Sequence, residues 1–250
     1  MQPDAYCFHK SFEPADPSQF VVDRHYLLYA LEGTIRLEAD GHRWTLPPAR
    51  AALIRAGHQI TITVLSKLTS ASVLFSPDFM EPPRQVLAVF EMSPLARELV
   101  RECRNWGPES GPLSPFAERI FGTLGDVMHQ LALTPTNSAL PSAKSPQLIK
   151  AVHLTETMAH ADPTFEEVAI RSNQSPRALA RRFSSEMGMT WREVLRHVRI
   201  MKAVEELAMT DAQITEIALS VGYSSLSGFN AAFRQHMQMT PTEYRASFRC

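Results

Sequence analysis

Residues 175–190 read SPRALARRFSSEMGMT, and residues 225–240 read SLSGFNAAFRQHMQMT. Aligned, Leu179 and Phe183 fall on Phe229 and Phe233, and Met187-Gly188-Met189-Thr190 falls on Met237-Gln238-Met239-Thr240. One structural unit is therefore written twice, about 50 residues apart. In the first copy Ala169 precedes a polar turn through Ser172, Asn173 and Gln174, and a helix starts from Ser175. In the second, Ala218 precedes Gly222-Tyr223-Ser224-Ser225 and a helix from about Leu226. A small residue lets the two helices approach closely, and Asn173 or Gly222 can take the positive φ that a tight interhelical turn often needs. Ser175-Pro176 is an N-cap with proline at N1, and Thr190-Trp191-Arg192-Glu193 and Thr240-Pro241-Thr242-Glu243 are capping boxes. The pattern predicts two helix-turn-helix units joined by a long helix from Thr190 to Ala208.

Helical spacing puts Leu179 and Phe183 on one face and Arg177, Ala180, Arg181 and Ser184 on the other. An arginine pair at i and i+4 near a helix start can reach base edges in the major groove, where guanidinium matches guanine O6 and N7 bidentately. The second helix offers Ser227, Gly228 and Ala231 opposite its phenylalanines, with Arg234 and Gln238 further along. Base-reading side chains are scarce there, so the two halves are expected to contribute unequally. Leu226 or Ala231 would touch thymine methyls, while the rest positions the backbone and reads shape. On the long helix, Arg192, Arg196, Arg199 and Lys202 are open to two readings: phosphate contact, or ion pairs with Glu193, Glu205 or Glu206.

Upstream the grammar changes. Ile35, Leu37 and Ala39 alternate with Thr34, Arg36 and Glu38, Asp40-Gly41 supplies a hairpin turn, and Trp44 and Leu46 continue a period of two. Short apolar runs at 51–54, 60–64 and 71–75 extend this into a small sandwich or barrel. From Val86 to about Leu133 the period turns helical in two segments, broken between Gly107 and Pro115. Thr134 to Pro146, rich in Thr, Pro, Ser, Asn and Ala, reads as a linker. The net charge of -1 over 250 residues gives no basic footprint. Divided at Gln147, the N-terminal part holds 13 Lys+Arg against 15 Asp+Glu (-2) and the C-terminal part 12 against 11 (+1), so arginine placement must carry any nucleic-acid binding. Cys7, Cys103 and Cys250 are odd in number and far apart, which fits a reduced chain in the cytoplasm. No apolar run approaches the roughly 18 residues of a membrane span, and no export signal opens the chain.

The stretches 175–183, Ile214-Thr215-Glu216-Ile217-Ala218, Val221-Gly222-Tyr223-Ser224-Ser225, Phe229, Ala232-Phe233-Arg234 and Thr240-Pro241-Thr242-Glu243-Tyr244-Arg245 together resemble the AraC/XylS family of bacterial transcription regulators, over essentially Phe165 to Phe248. The resemblance implies base contacts from Arg177, Ala180 and Arg181 in the first unit and from Leu226, Ser227 and Ala231 in the second. Ser175, Arg182, Arg192, Arg196, Arg199, Ser224, Ser225, Asn230 and Arg234 are the candidates for contacts to the DNA backbone. Family members often carry a polar residue where Leu226 stands and an arginine where Ala231 stands, which again sets the second helix apart. The strands look like the cupin-type sensor domain of many members, a looser match. It implies a β-barrel holding a small effector, with helices at Pro94 to Arg104 and Phe116 to Leu133 available for a homodimer. Effector-pocket candidates are Tyr26, Arg36, Trp44 and Arg55. The expected architecture is thus α+β: a cupin-like barrel with following helices over 1–133, a linker over 134–147, and an all-α DNA-binding domain over 148–250. Double-stranded DNA is the expected partner, with RNA polymerase implied by the family.

Two rivals stay open. A cupin fold also hosts metalloenzymes, but a metal site needs clustered ligands, and His25 is followed by no second histidine until His42. His42 and His58 sit beside turns, and no nucleophile motif or phosphate loop is present, so no catalytic residue, metal ligand or cofactor is expected. The other rival is a DNA-binding regulator without a small-molecule effector. Activator and repressor are equally compatible with the residues.

Overall fold

The structure is a computed structural model describing residues 2–48, 50–136 and 139–248. Cys250 and part of the expected linker, Asn137 and Ser138, lie outside the described residues. The chain divides into two compact units, one of residues 1–39 and 44–137, the other of 40–43 and 138–250.

The first unit contains two antiparallel sheets. One runs β1 (Ala5–Phe12), β8 (Leu68–Phe75), β3 (His25–Glu32), β6 (Arg50–Ile54), β9 (Leu87–Glu91). In the other, β5 (His42–Leu46), β4 (Ile35–Ala39), β7 (Ile60–Val64) and β2 (Ala15–Phe20) lie side by side in that order. Alternation decides which side chain goes where. On β4, Ile35, Leu37 and Ala39 are buried between the sheets with Tyr26, Leu28, Ala52, Ile54 and Leu74 of the first sheet. The intervening residues of that first sheet, Leu27, Tyr29, Ala51, Leu53, Val73 and Phe75, turn to its other face. Helices α1 (Pro94–Cys103) and α2 (Pro115–Leu131) cover them with Leu99, Val100, Phe121, Leu124 and Met128. The first sheet is thus buried on both faces, which is why β6 shows no polar alternation.

The cupin-like barrel that the resemblance implied is corrected here: among the described residues the strands form two separate sheets packed as a sandwich, the other arrangement that the strand pattern allowed. Gly33, at φ +82°, joins β3 to β4 across the gap between sheets, and a Cβ there would stand 2.3 Å from the carbonyl oxygen of Lys67. Both helices start on serine caps, Ser93 and Ser114, followed by proline. Each spends its apolar stripe on its own sheet. Cys7 and Cys103 are buried free thiols, and burial pushes Cys7 up to about 12 and Cys103 higher still, so both are inert.

The second unit is helical: α3 (Pro146–Met158), a 3₁₀ turn at Ala159–Ala161, α4 (Phe165–Arg171), α5 (Pro176–Arg182) running on through a π turn at Phe183–Met187, α6 (Trp191–Met209), α7 (Ile214–Ser220), α8 (Leu226–Met237) and α9 (Pro241–Phe248). A short β10 (Leu140–Pro141) pairs with Arg43 and His42. Leu148, Val152, Val168, Leu179, Phe183, Trp191 and Val194 form one core around the first repeat.

Candidate DNA-reading surface

The two repeats fold alike down to single hydrogen bonds. After α4, Asn173 N–H donates to Ile170 O at 2.9 Å and Gln174 N–H to Ala169 O at 2.9 Å. After α7, Gly222 N–H donates to Leu219 O at 3.0 Å and Tyr223 N–H to Ala218 O at 2.9 Å. Asn173 and Gly222 hold positive φ, 58° and 95°, as the turn grammar requires. Ala169 and Ala218 are buried at the close approach. Each following helix is capped by serine: Ser175 Oγ accepts from Ala178 N–H at 3.3 Å and Ser225 Oγ from Gly228 N–H at 3.1 Å. Beyond the helices, Gly188 and Gln238 occupy matching left-handed caps at φ 64° and 58°. Thr190/Glu193 and Thr240/Glu243 close matching reciprocal caps, with both glutamates held below the usual carboxylate range by the threonine N–H and hydroxyl.

With Leu179, Phe183, Phe229 and Phe233 fully buried, the opposite faces are open. Arg177, Ala180 and Arg181 are exposed on α5, and Leu226, Ser227 and Ala231 on α8. Among the described residues neither Arg177 nor Arg181 pairs with a carboxylate, so both guanidinium groups keep their donors for an external acceptor. Of the backbone candidates, Ser175, Arg192, Arg196, Ser224, Ser225, Asn230 and Arg234 are exposed. Arg182 is half-buried and turned toward Glu186 at 3.5 Å. Ala180 of α5, Ser184 of the π turn, Arg192 and Arg196 of α6, Thr164 at the start of α4 and Tyr223 of the second turn line one cleft of about 790 Å³.

Arg199 is a correction. Its side chain is 9% exposed and is occupied on three sides: Nε donates to Ala159 O at 3.0 Å, one terminal nitrogen to Asp162 Oδ1 at 2.7 Å, and the guanidinium lies 5.6 Å from the Tyr223 ring centroid. It ties the turn ahead of the first helix-turn-helix repeat to the turn inside the second repeat and is not available to phosphate. Its carboxylate partner is Asp162 and none of the three anticipated glutamates, Glu193, Glu205 and Glu206. Gly222 is needed for the same packing, since a Cβ there would meet Ala159 O at 2.4 Å and the Arg199 guanidinium at 2.9 Å. Lys202 is likewise engaged, donating to Glu156 O at 2.6 Å at the end of α3.

Glu186 went unnoticed in the sequence. It accepts from Lys144 N–H at 3.0 Å, Ser145 N–H at 2.8 Å and Ser145 Oγ at 2.7 Å, fastening the start of α3 to the end of the first reading helix. Burial pushes its carboxyl up, but the Ser145 and Lys144 donors and Arg182 outweigh this and hold it below the usual range.

The effector-pocket candidates do not converge. Tyr26 lies between the sheets with its hydroxyl donating to Ser72 Oγ at 3.2 Å, and Trp44 packs at the margin of the same cluster. Arg36 alternates with Ile35 and Leu37 and so faces away from that space. Arg55, beyond the end of β6, donates to the carbonyls of Pro83 and Arg84. Among the described residues no group of three or more His, Cys, Asp or Glu is placed to hold a metal ion.

A family profile described as a helix-turn-helix domain matches residues 168–247, which span both turns. A solved transcriptional regulator from Chromobacterium violaceum, described as having an AraC-type DNA-binding domain, is 31% identical, the match covering 40% of this chain and 90% of that one with a TM-score of 0.40. The C-terminal part of the chain carries a helix-turn-helix domain of the AraC type. Its AraC-type relatives are transcriptional regulators and not enzymes. Along almost its whole length, 97%, the chain is 23% identical to the HTH-type transcriptional regulator NimR of Escherichia coli, covering 87% of that protein. The ornithine utilization regulator of Pseudomonas aeruginosa is 37% identical over 83 residues, where the match covers 33% of this chain and 24% of that protein. No helix among the described residues is long and apolar enough to cross a membrane.

Proposed function

We propose that this AraC-type regulator reads a specific double-stranded DNA site mainly through Arg177 and Arg181, with Ala180 beside them and Leu226, Ser227 and Ala231 giving weaker apolar and shape readout from α8. The observation that carries the reading is the exposed arginine pair on α5, without a carboxylate partner among the described residues, in a helix whose opposite side buries Leu179. Arg192 and Arg196 on the floor of the adjoining cleft, the serine caps of α5 and α8, Asn230 and Arg234 supply phosphate contacts. Residues 148–250 act as the reader, 134–147 as the linker, and 1–133 as a cupin-like, two-sheet sensing domain that also carries the homodimer contact. A small effector biases the arrangement of the readers, and bound protein acts on RNA polymerase in the cytoplasm. Coupling requires the effector to prefer one arrangement.

The test is a footprint followed by base substitution through both half-segments of a bound site. The reading expects most of the information in the segment under α5. Equal information in both segments would overturn the unequal assignment.

A further inference from the structure

We propose that the first unit holds a binding site for a small monocarboxylate at the junction of its first sheet with the end of α2, built from His25, Arg55 and His129. This site is independent of the DNA surface and stands or falls without it.

Strand register places the residues. Tyr26 pairs with Ile54 across β3 and β6, and both point into the space between the sheets. His25, next to Tyr26 in β3, therefore falls toward the opposite face, the one α2 covers, and Arg55 lies one residue past the end of β6. His129 follows Met128, which packs on that face beside Phe75, the partner of His25 in β8. His25 is 3% exposed. Its Nδ1 accepts from Ala56 N–H at 3.1 Å, so the neutral ring carries its proton on Nε2, and that buried Nε2–H has no partner among the described residues. The Nε–H of Arg55 is equally buried and unpartnered, although its far nitrogen is fixed on Pro83 and Arg84. The Nε2 of His129 is a third buried atom without a partner. Native interiors leave few such atoms, and each costs free energy until something accepts from it.

The chemistry selects the occupant. Two N–H donors, one of them on a cation, call for an anionic acceptor. A metal ion would need the lone pair of His25 Nε2, which the Ala56 N–H denies by occupying Nδ1, and it would sit beside a guanidinium. His129 also lines a surface cavity of about 390 Å³ with Asp126, Val127, Gln130 and Leu131. Val127 and Leu131 suit a short apolar tail, and the Asp126 carboxylate disfavours a dianion. Consistent with a cationic neighbourhood, burial first, then Arg55, then His129 hold His25 below the ordinary histidine range.

The experiment follows the histidine ring nitrogens of the full chain by NMR during titration with butyrate, with butyramide and inorganic phosphate as comparison probes. Butyrate is expected to shift the His25 Nε2–H signal saturably, with butyramide and phosphate at least about tenfold weaker. In His25→Asn, whose side-chain oxygen can still accept from Ala56 while Nε2 is gone, the response of His129 to butyrate should weaken about tenfold or more. Arg55→Gln should do the same. Absence of saturation, an equal response to butyramide, a stronger response to phosphate, or unchanged binding in a folded His25→Asn would each overturn the site.

Discussion

Gln238 holds a left-handed cap at φ 58° where its counterpart in the first repeat is Gly188 at φ 64°. A side chain there pays a steric cost that glycine avoids. Gln238→Gly is therefore expected to raise stability by about 0.5–1 kcal/mol in urea unfolding, and Gly188→Ala to lower it by about 1 kcal/mol. Gly222 is under a double constraint, φ +95° and a carbonyl oxygen 2.4 Å from the missing Cβ. Gly222→Ala should cost at least about 2 kcal/mol in the same measurement. The turn residues were legible from sequence because their chemistry is local: a serine cap, a proline at N1, a residue tolerant of positive φ. The role of Arg199 was not. On a helical projection it belongs with Arg192 and Arg196, and only Ala159 and Asp162, about 40 positions upstream, draw it inward.

At the level of elements, one carboxylate fastens the start of α3 to the end of the first reading helix. Glu186 has its pKa depressed in the folded chain, so its contribution is present above the unfolded carboxylate value near ~4.3 and is lost as pH falls through the lower folded value. Glu186→Gln should cost about 1 kcal/mol at pH 7. The gap between wild type and variant should close as pH drops below about 4, read by thermal unfolding across pH. A gap that persists to pH 2 would contradict this. The strand and helix alternation in the first unit was readable because Ile35, Leu37 and Ala39 mark one face plainly. How the sheets close was not readable, since periodicity fixes the face of a residue and not the partner of a strand. This is why Arg36 and Arg55, both plausible pocket residues by position, turn out on other faces. The amphipathic stripes of α1 and α2 were equally visible, and the structure shows them covering their own sheet.

Across the whole molecule, a chain of net charge -1 has no overall basic footprint, so binding to DNA depends on a few cationic side chains placed to meet phosphates and bases. The duplicated motif does this placement: each repeat buries its apolar pair, Leu179 and Phe183 or Phe229 and Phe233, and leaves one helix face outward, and Arg199 ties the second turn to Ala159 and Asp162, just ahead of the first repeat. Replacing Arg192 or Arg196 by alanine should weaken all sequences alike and flatten the salt dependence by about one ion each. The decisive measurement is binding of Arg177→Ala and Arg181→Ala to a mapped site and to unrelated DNA at fixed salt. Each variant is expected to lose about 1–3 kcal/mol on the site with relaxed discrimination at particular base pairs and little change on unrelated DNA. An equal loss on both DNAs would contradict the assignment of these arginines as readers.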